Sequence, residues 1–191
     1  MDTSKLKRFS QYARRSLLEQ VAAKLALVIA PDSLSRRERA DAIQKLEEQI
    51  AARGEAQVIE QVAYTWFNRF CALRFMDVKR YSRIGVLSPL PGQFQPEILA
   101  EAKGGYVDED VVKGPVREQI FALLDGSAPS VDGQAEAYRL LIVAVCNDYH
   151  RIMPYLFERI DDYTELLMPD DLLSGNSIVA YTREAMTPDA C

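Results

Sequence analysis

Apolar residues recur at spacings of three and four from the start of the chain. Leu6, Phe9, Ala13, Leu17, Val21, Leu25 and Val28 share one helical face, and the segment is expected to end before Pro31-Asp32. Its outer side carries Lys7, Arg8, Gln11, Arg14 and Arg15, a basic strip that a phosphate backbone could use. Ser35-Arg36-Arg37-Glu38 has the Ser-x-x-Glu form of a capping box, and Ile43, Leu46 and Ile50 carry a second helix to Gly54. From Glu55 to Arg80 there is neither Gly nor Pro, and Val62, Trp66, Phe70 and Leu73 fall on one face. Tyr64, Phe67, Cys71 and Phe75 extend the apolar surface around most of the circumference, which predicts a central, buried helix. Asn68, Arg69 and Arg74 leave it in three directions. For the two arginines the apolar neighbours predict buried ion pairs with carboxylates from the second half of the chain.

The pattern breaks between residues 85 and 115. Ser88-Pro89-Leu90-Pro91-Gly92, Gln95-Pro96, Gly104-Gly105 and Lys113-Gly114-Pro115 mark turns, with a short helix over Glu97 to Lys103 and a small β-hairpin around Tyr106 to Val112. Helical character returns from Val116 to Leu124 and from Gln134 to about Met153, with shorter pieces over Tyr155 to Ile160 and Tyr163 to Leu167. Thr187-Pro188-Asp189 reads as a helix opening at the last residues, so a cut helix is expected over residues 187–191. The fold class expected is all-α or mainly α: an orthogonal helical bundle around a long central helix, residues 1–191 forming one domain with an irregular excursion at 85–115.

A chain of 191 residues with 48% hydrophobic composition can bury a core. Its charge is divided. Residues 1–83 hold 16 Lys and Arg against 10 Asp and Glu, net +6, and residues 84–191 hold 7 against 18, net −11, which together make the overall −5. Contact with nucleic acid should therefore be one-sided. Cys71, Cys146 and Cys191 are odd in number and widely spaced, which fits reduced thiols in a cytoplasmic protein. Arg14-Arg15 ahead of Ser16-Leu17-Leu18 looks like a twin-arginine export signal, but Glu19, Gln20 and Lys24 interrupt the apolar stretch it needs, and no run is long enough for a membrane span.

The run Ala63-Tyr64-Thr65-Trp66-Phe67-Asn68-Arg69-Phe70-Cys71-Ala72-Leu73-Arg74-Phe75-Met76 resembles the A-Y-T-W-F-N-R-x-C-A-x-R-F-M signature near the N-terminus of the PglX family, the adenine-specific DNA methyltransferases of bacterial BREX phage-defence systems. His150 to Glu158 and Glu165 to Leu172 look like that family's H-x-x-M-P-F-L-F-E and E-L-L-L-P-D-N-L blocks, in the same order. The resemblance implies the N-terminal region of a longer enzyme that transfers a methyl group from S-adenosylmethionine to adenine N6, with the cofactor site and catalytic motif further along. Trp66, Phe67, Asn68, Arg69 and Arg74 would be its structural signature.

Within these residues the chemistry of methyl transfer is not legible. A Gly-rich cofactor turn after a strand is missing, and so is a [DNS]-P-P-[YFW] loop; Ser88-Pro89-Leu90-Pro91 lacks the paired prolines and the aromatic that would stack on a flipped base. No catalytic, cofactor or metal residue is assigned, and the chain alone is expected neither to hold S-adenosylmethionine nor to methylate DNA. Cys146 and His150, four apart, have workable zinc spacing but lack two further ligands, so a packed thiol and a bonded imidazole are the expectation. Asp161-Asp162, Asp170-Asp171 and Asp108-Glu109-Asp110 read as turns and caps rather than cation sites. Arg36, Arg37 and Arg39 sit at an expected helix start, where positive charge opposes the dipole, and so hint at an outside phosphate. The DNA-contact candidates are Lys7, Arg8, Arg14, Arg15, Arg36, Arg37 and Arg39. Expected partners are the catalytic domain of the same parent chain, double-stranded DNA and other defence-system proteins, with no membrane. Two other readings stay open: a module recruiting defence proteins through its acidic half, and a purely structural domain.

Overall fold

A computed structural model describes residues 3–157 and 163–191. The described residues form helices and no strand, so the all-α class holds. In chain order the helices are α1 (Thr3–Ile29), α2 (Leu34–Glu38), α3 (Ala40–Arg53), α4 (Glu55–Lys79), α5 (Glu97–Lys103), α6 (Gly114–Leu124), α7 (Gly133–His150), α8 (Tyr163–Leu166) and α9 (Ile178–Ala185).

The periodic apolar positions of α1 from Phe9 to Val28 are all buried, and they pack on α4 and α9. In α4, Val62, Trp66, Phe70 and Leu73 are buried together as expected. The indole of Trp66 is fully enclosed, donates to the Thr164 carbonyl at 3.0 Å and stacks on Phe70 at 5.6 Å, joining α4 to α8. The circumference of α4 is less apolar in use than in letters. Tyr64 is 67% exposed and Phe75 39%, because α1, α3 and α9 cover the helix on one side only. Arg80 ends α4 in the left-handed conformation, φ 57°.

The second helix is split. Ser33 rather than Ser35 is the cap: its hydroxyl accepts from Arg36 N at 3.2 Å and donates to the Val28 carbonyl. Helix α2 is then only 5 residues long, and Arg39 at φ −131° separates it from α3. This break lets α2 double back on the end of α1. The hairpin expected around Tyr106 is a turn instead. Asp108 accepts from Asp110 N at 2.9 Å through its side chain and from Val112 N at 2.9 Å through its carbonyl, which closes the chain on itself locally. Residues 155–157, expected to be helical, are also in turns, and 158–160 lie outside the described residues. Sequence periodicity missed α9. Its signal was Asn176-Ser177 ahead of Ile178 and Val179: the Ser177 hydroxyl caps Ala180 N at 3.2 Å, and both apolar residues are buried. At 187–191 the backbone makes a turn in which Cys191 N donates to Thr187 O at 3.1 Å.

The excursion is tied down by one short segment. Asp77, near the end of α4, accepts from the backbone N–H groups of Val86 (3.0 Å), Leu87 (2.8 Å) and Ser88 (2.9 Å) and from the Ser88 hydroxyl (2.7 Å). The Ser82 hydroxyl adds a longer bond at 3.2 Å. Gly85 N donates to the Glu97 carboxylate at 2.7 Å, Ile98 N to Gly85 O at 3.1 Å, and the buried Tyr138 hydroxyl to Val86 O at 2.9 Å. A side chain at Gly85 would place its first carbon 2.6 Å from the Ser88 carbonyl, so the turn admits only glycine without moving backbone. Residues 85–88 thus hold the ends of α4 and α5 and the middle of α7 in one place.

Candidate functional site

Three features of the surface and its underpinning bear on function. The basic strip of α1 is the first. Lys7, Arg8, Arg14 and Arg15 are exposed along it. Arg14 pairs with Glu60 of α4, while Lys7, Arg8 and Arg15 have no ion pair among the described residues. The strip borders a groove of about 780 Å³ between α1 and α4, lined in part by Leu18, Phe67 and the exposed Tyr64.

The second group, Arg36 to Arg39, does not form the cluster that the sequence suggested. Arg36 donates from Nε (3.1 Å) and Nη2 (2.9 Å) to the Ile29 carbonyl, capping the end of α1, and it pairs with Glu47 of α3. Arg39 pairs with Glu165 at 3.2 Å, and Arg37 is exposed. Arg36 and Arg37 lie in α2, a single turn whose first and last turns coincide, while Arg39 stands at the N-terminus of α3, where Glu165 answers its charge. Arg36 and Arg39 are thus answered by Glu47 and Glu165 within the fold, which leaves Arg37 as the one of the three without an ion pair among the described residues. From Arg15 to Ile29 at 1.5 Å per residue, the two basic groups stand about 20 Å apart along α1.

The signature residues divide between support and surface. Arg69 is buried with its guanidinium 5.0 Å over the Trp66 ring. Phe67 is half-buried 6.0 Å from Phe9, and Asn68 is half-buried. Among the described residues Arg74 makes no ion pair with a carboxylate of the acidic half. It donates to the Met186 carbonyl at 2.9 Å and the Ser88 hydroxyl at 2.6 Å, and that hydroxyl in turn donates to Asp77 on Arg74's own helix. Burial lowers the Arg74 pKa, and the Asp77 charge works against that shift.

The third feature escaped sequence reasoning. A cleft of about 690 Å³ opens among residues 81–86, α5, residues 106–113 and α7. Its floor includes Val86, Leu141 and Val145, all buried, and Tyr81 and Tyr106 stand at its sides, 69% and 59% exposed. Five carboxylates line it, from Glu97, Glu101, Asp108, Asp110 and Asp148, against three cations, Arg83, Lys113 and Arg151. The Tyr149 hydroxyl on its wall is pushed up to about 12, by burial first and then by the negative charges of Asp77 and Asp148. The acidic second half supplies most of this charge, but only the fold gathers it into a concavity.

Cys146 is fully buried, its thiol pushed up to about 12 by burial, and His150 donates from Nδ1 to the Phe157 carbonyl at 2.7 Å. The pair is thus a packed thiol and a bonded imidazole, as expected. Asp170 bridges Lys24 and Arg139, and Asp171 accepts from Ser174 N at 3.0 Å, so both are structural. Asp161 and Asp162 lie outside the described residues. Among the described residues no group of three or more His, Cys, Asp or Glu is placed to hold a metal ion, and no helix is long and apolar enough to cross a membrane.

No family model matches the chain. It is 30% identical over 204 residues to the adenine-specific methyltransferase BrxX of Escherichia coli O9:H4 (strain HS), covering 94% of this chain and 16% of that protein. It is 33% identical over 214 residues to the adenine-specific methyltransferase PglX of Lacticaseibacillus casei (strain Zhang), covering 92% of this chain and 17% of the relative. The family resemblance carried by the three sequence blocks is thereby confirmed: along nearly its whole length the chain is similar to a segment that makes up 16–17% of the adenine-specific methyltransferases BrxX and PglX.

Proposed function

We propose that this chain is the N-terminal accessory domain of a site-specific adenine-N6 DNA methyltransferase of a BREX-type phage-defence system, docking on the catalytic domain of its parent chain and helping to clamp duplex DNA. Chemistry and S-adenosylmethionine binding would belong to the remainder of that parent. The observation that carries the reading is the similarity over 92–94% of the chain to proteins named adenine-specific methyltransferases. The exposed cations Lys7, Arg8 and Arg15 on one strip of α1, with Arg37 about 20 Å further along, add a surface that tracks phosphates rather than reads bases.

Phosphate contact releases counterions, so affinity for duplex DNA should fall steeply with salt. The triple variant Arg8→Glu, Arg15→Glu, Arg37→Glu is the informative one, since Arg14 and Arg36 are engaged in pairs within the fold and their reversal would perturb stability as well. Binding by fluorescence anisotropy across a salt series is expected to weaken and to lose slope in the triple variant. Unchanged affinity and slope would remove DNA clamping from the reading. The accessory role is tested separately, in the parent enzyme, by whether the triple variant lowers adenine methylation of duplex DNA.

A further inference from the structure

We propose that the cleft among residues 81–86, α5, residues 106–113 and α7 is a docking site for a basic protein segment, an arginine or lysine side chain entering past Tyr81 and Tyr106 toward the carboxylates of Glu101 and Asp148. The reading is independent of DNA contact, which uses the opposite charge on another face.

The distribution of charge within the cleft supports this. Two of its carboxylates, Asp108 and Asp148, lie inward, with side chains 28% and 23% exposed, while Glu101 and Asp110 stand at its rim. The protein's own cations lie outward, with Arg83 and Arg151 at 90% and 72%. Arg83 meets Asp108 only loosely, at 3.7 Å, and Arg151 meets Asp148 at 3.1 Å. Pairs whose cation is this exposed contribute little to stability, so an incoming guanidinium can replace Arg83 and Arg151 at small loss. What the incoming group gains in addition is an apolar floor for its aliphatic stem and the faces of two tyrosines for its charge. Glu101 is exposed and makes no ion pair among the described residues, which leaves it available. A nucleic acid would meet the wrong sign of charge here, as residues 84–191 carry net −11.

The probe is a blocked, dye-labelled peptide with arginine at alternate positions, titrated against the whole chain by anisotropy and followed by amide shifts. Glu101→Gln combined with Tyr106→Ala changes two exposed side chains outside the core and is expected to weaken binding about tenfold. Tyr64→Ala, an equally exposed tyrosine on the α1–α4 side, should leave the affinity within about twofold, as should Arg15→Glu. Shift changes should centre on Tyr106, Val145 and Asp148. Equal affinity in the double variant, or shifts centred on Asp170 and Asp171, would each overturn the assignment.

Discussion

Replacing Asp77 tests how the excursion is held. Its two carboxylate oxygens take three backbone N–H groups and two hydroxyls, and two of the donors belong to Val86 and Leu87, residues that are 1% and 0% exposed. Asp77→Ala leaves those two peptide N–H groups without their acceptor. At about 1–3 kcal/mol for each buried unsatisfied donor, and allowing for water entering the space left, the loss is expected near 3 kcal/mol. Asp77→Asn keeps one oxygen but turns an amide N–H₂ toward either Val86 N or the Leu87–Ser88 pair, so about 1–2 kcal/mol is expected. Ser82→Ala removes the 3.2 Å bond to Asp77 together with the interaction of Ser82 with the Tyr149 hydroxyl and should cost roughly 1 kcal/mol. Urea unfolding followed by far-ultraviolet circular dichroism and by the fluorescence of Trp66, the single tryptophan, gives all three values. If Asp77→Ala falls within about 0.5 kcal/mol of the parent chain, the carboxylate is not what holds residues 85–88, and the argument built on it fails.

Three further outcomes follow from the structure. Arg36→Ala should lower stability by roughly 1–2 kcal/mol through loss of the bonds to Ile29 and Glu47, while Arg37→Ala stays within about 0.5 kcal/mol; thermal melts of the pair check it. Gly133→Ala should destabilise by about 1–3 kcal/mol despite the better helix propensity of alanine, because the new carbon would sit 2.3 Å from the Leu123 carbonyl where α6 and α7 meet, and urea titration measures the sign. Burial pushes Cys71 and Cys146 from 9.0 to about 12, and Tyr149 from 10.0 to about 12. The folded chain therefore holds more protons than the unfolded one in that window, so the stability these groups contribute is whole below about 9 and declines as pH rises toward 12. A denaturation series from pH 8 upward should show the decline, and Cys146→Ala should flatten it; a pH-independent midpoint would contradict the burial of these groups.

Wherever one element's own letters decide its environment, the chain was legible. The three-and-four spacing of Phe9 to Val28 and of Val62 to Leu73 placed α1 and α4 and their buried faces, since a helix can hide only one stripe from water. The glycine and proline clusters between 85 and 115 marked the excursion, and the Trp66 to Arg74 run carried the family resemblance. Which face is covered, and by what, is settled by other elements. Phe75 is as apolar as Phe70, and Tyr64 differs from it by one hydroxyl, yet packing with α1, α3 and α9 determines that both stay outside. The hydrogen bonds of Arg36, Arg39 and Arg74 run to Ile29, Glu165 and Met186, partners far along the sequence or beyond a turn, which no spacing rule reaches. The same holds for the cleft: its acids are scattered from Glu97 to Asp148, and the packing of α5 on α7, with the 85–88 segment pinned beside them by Asp77, is what gathers them. Local pattern determines which residues seek burial, while long-range contact, made possible by the cooperative closure of the core, determines which succeed.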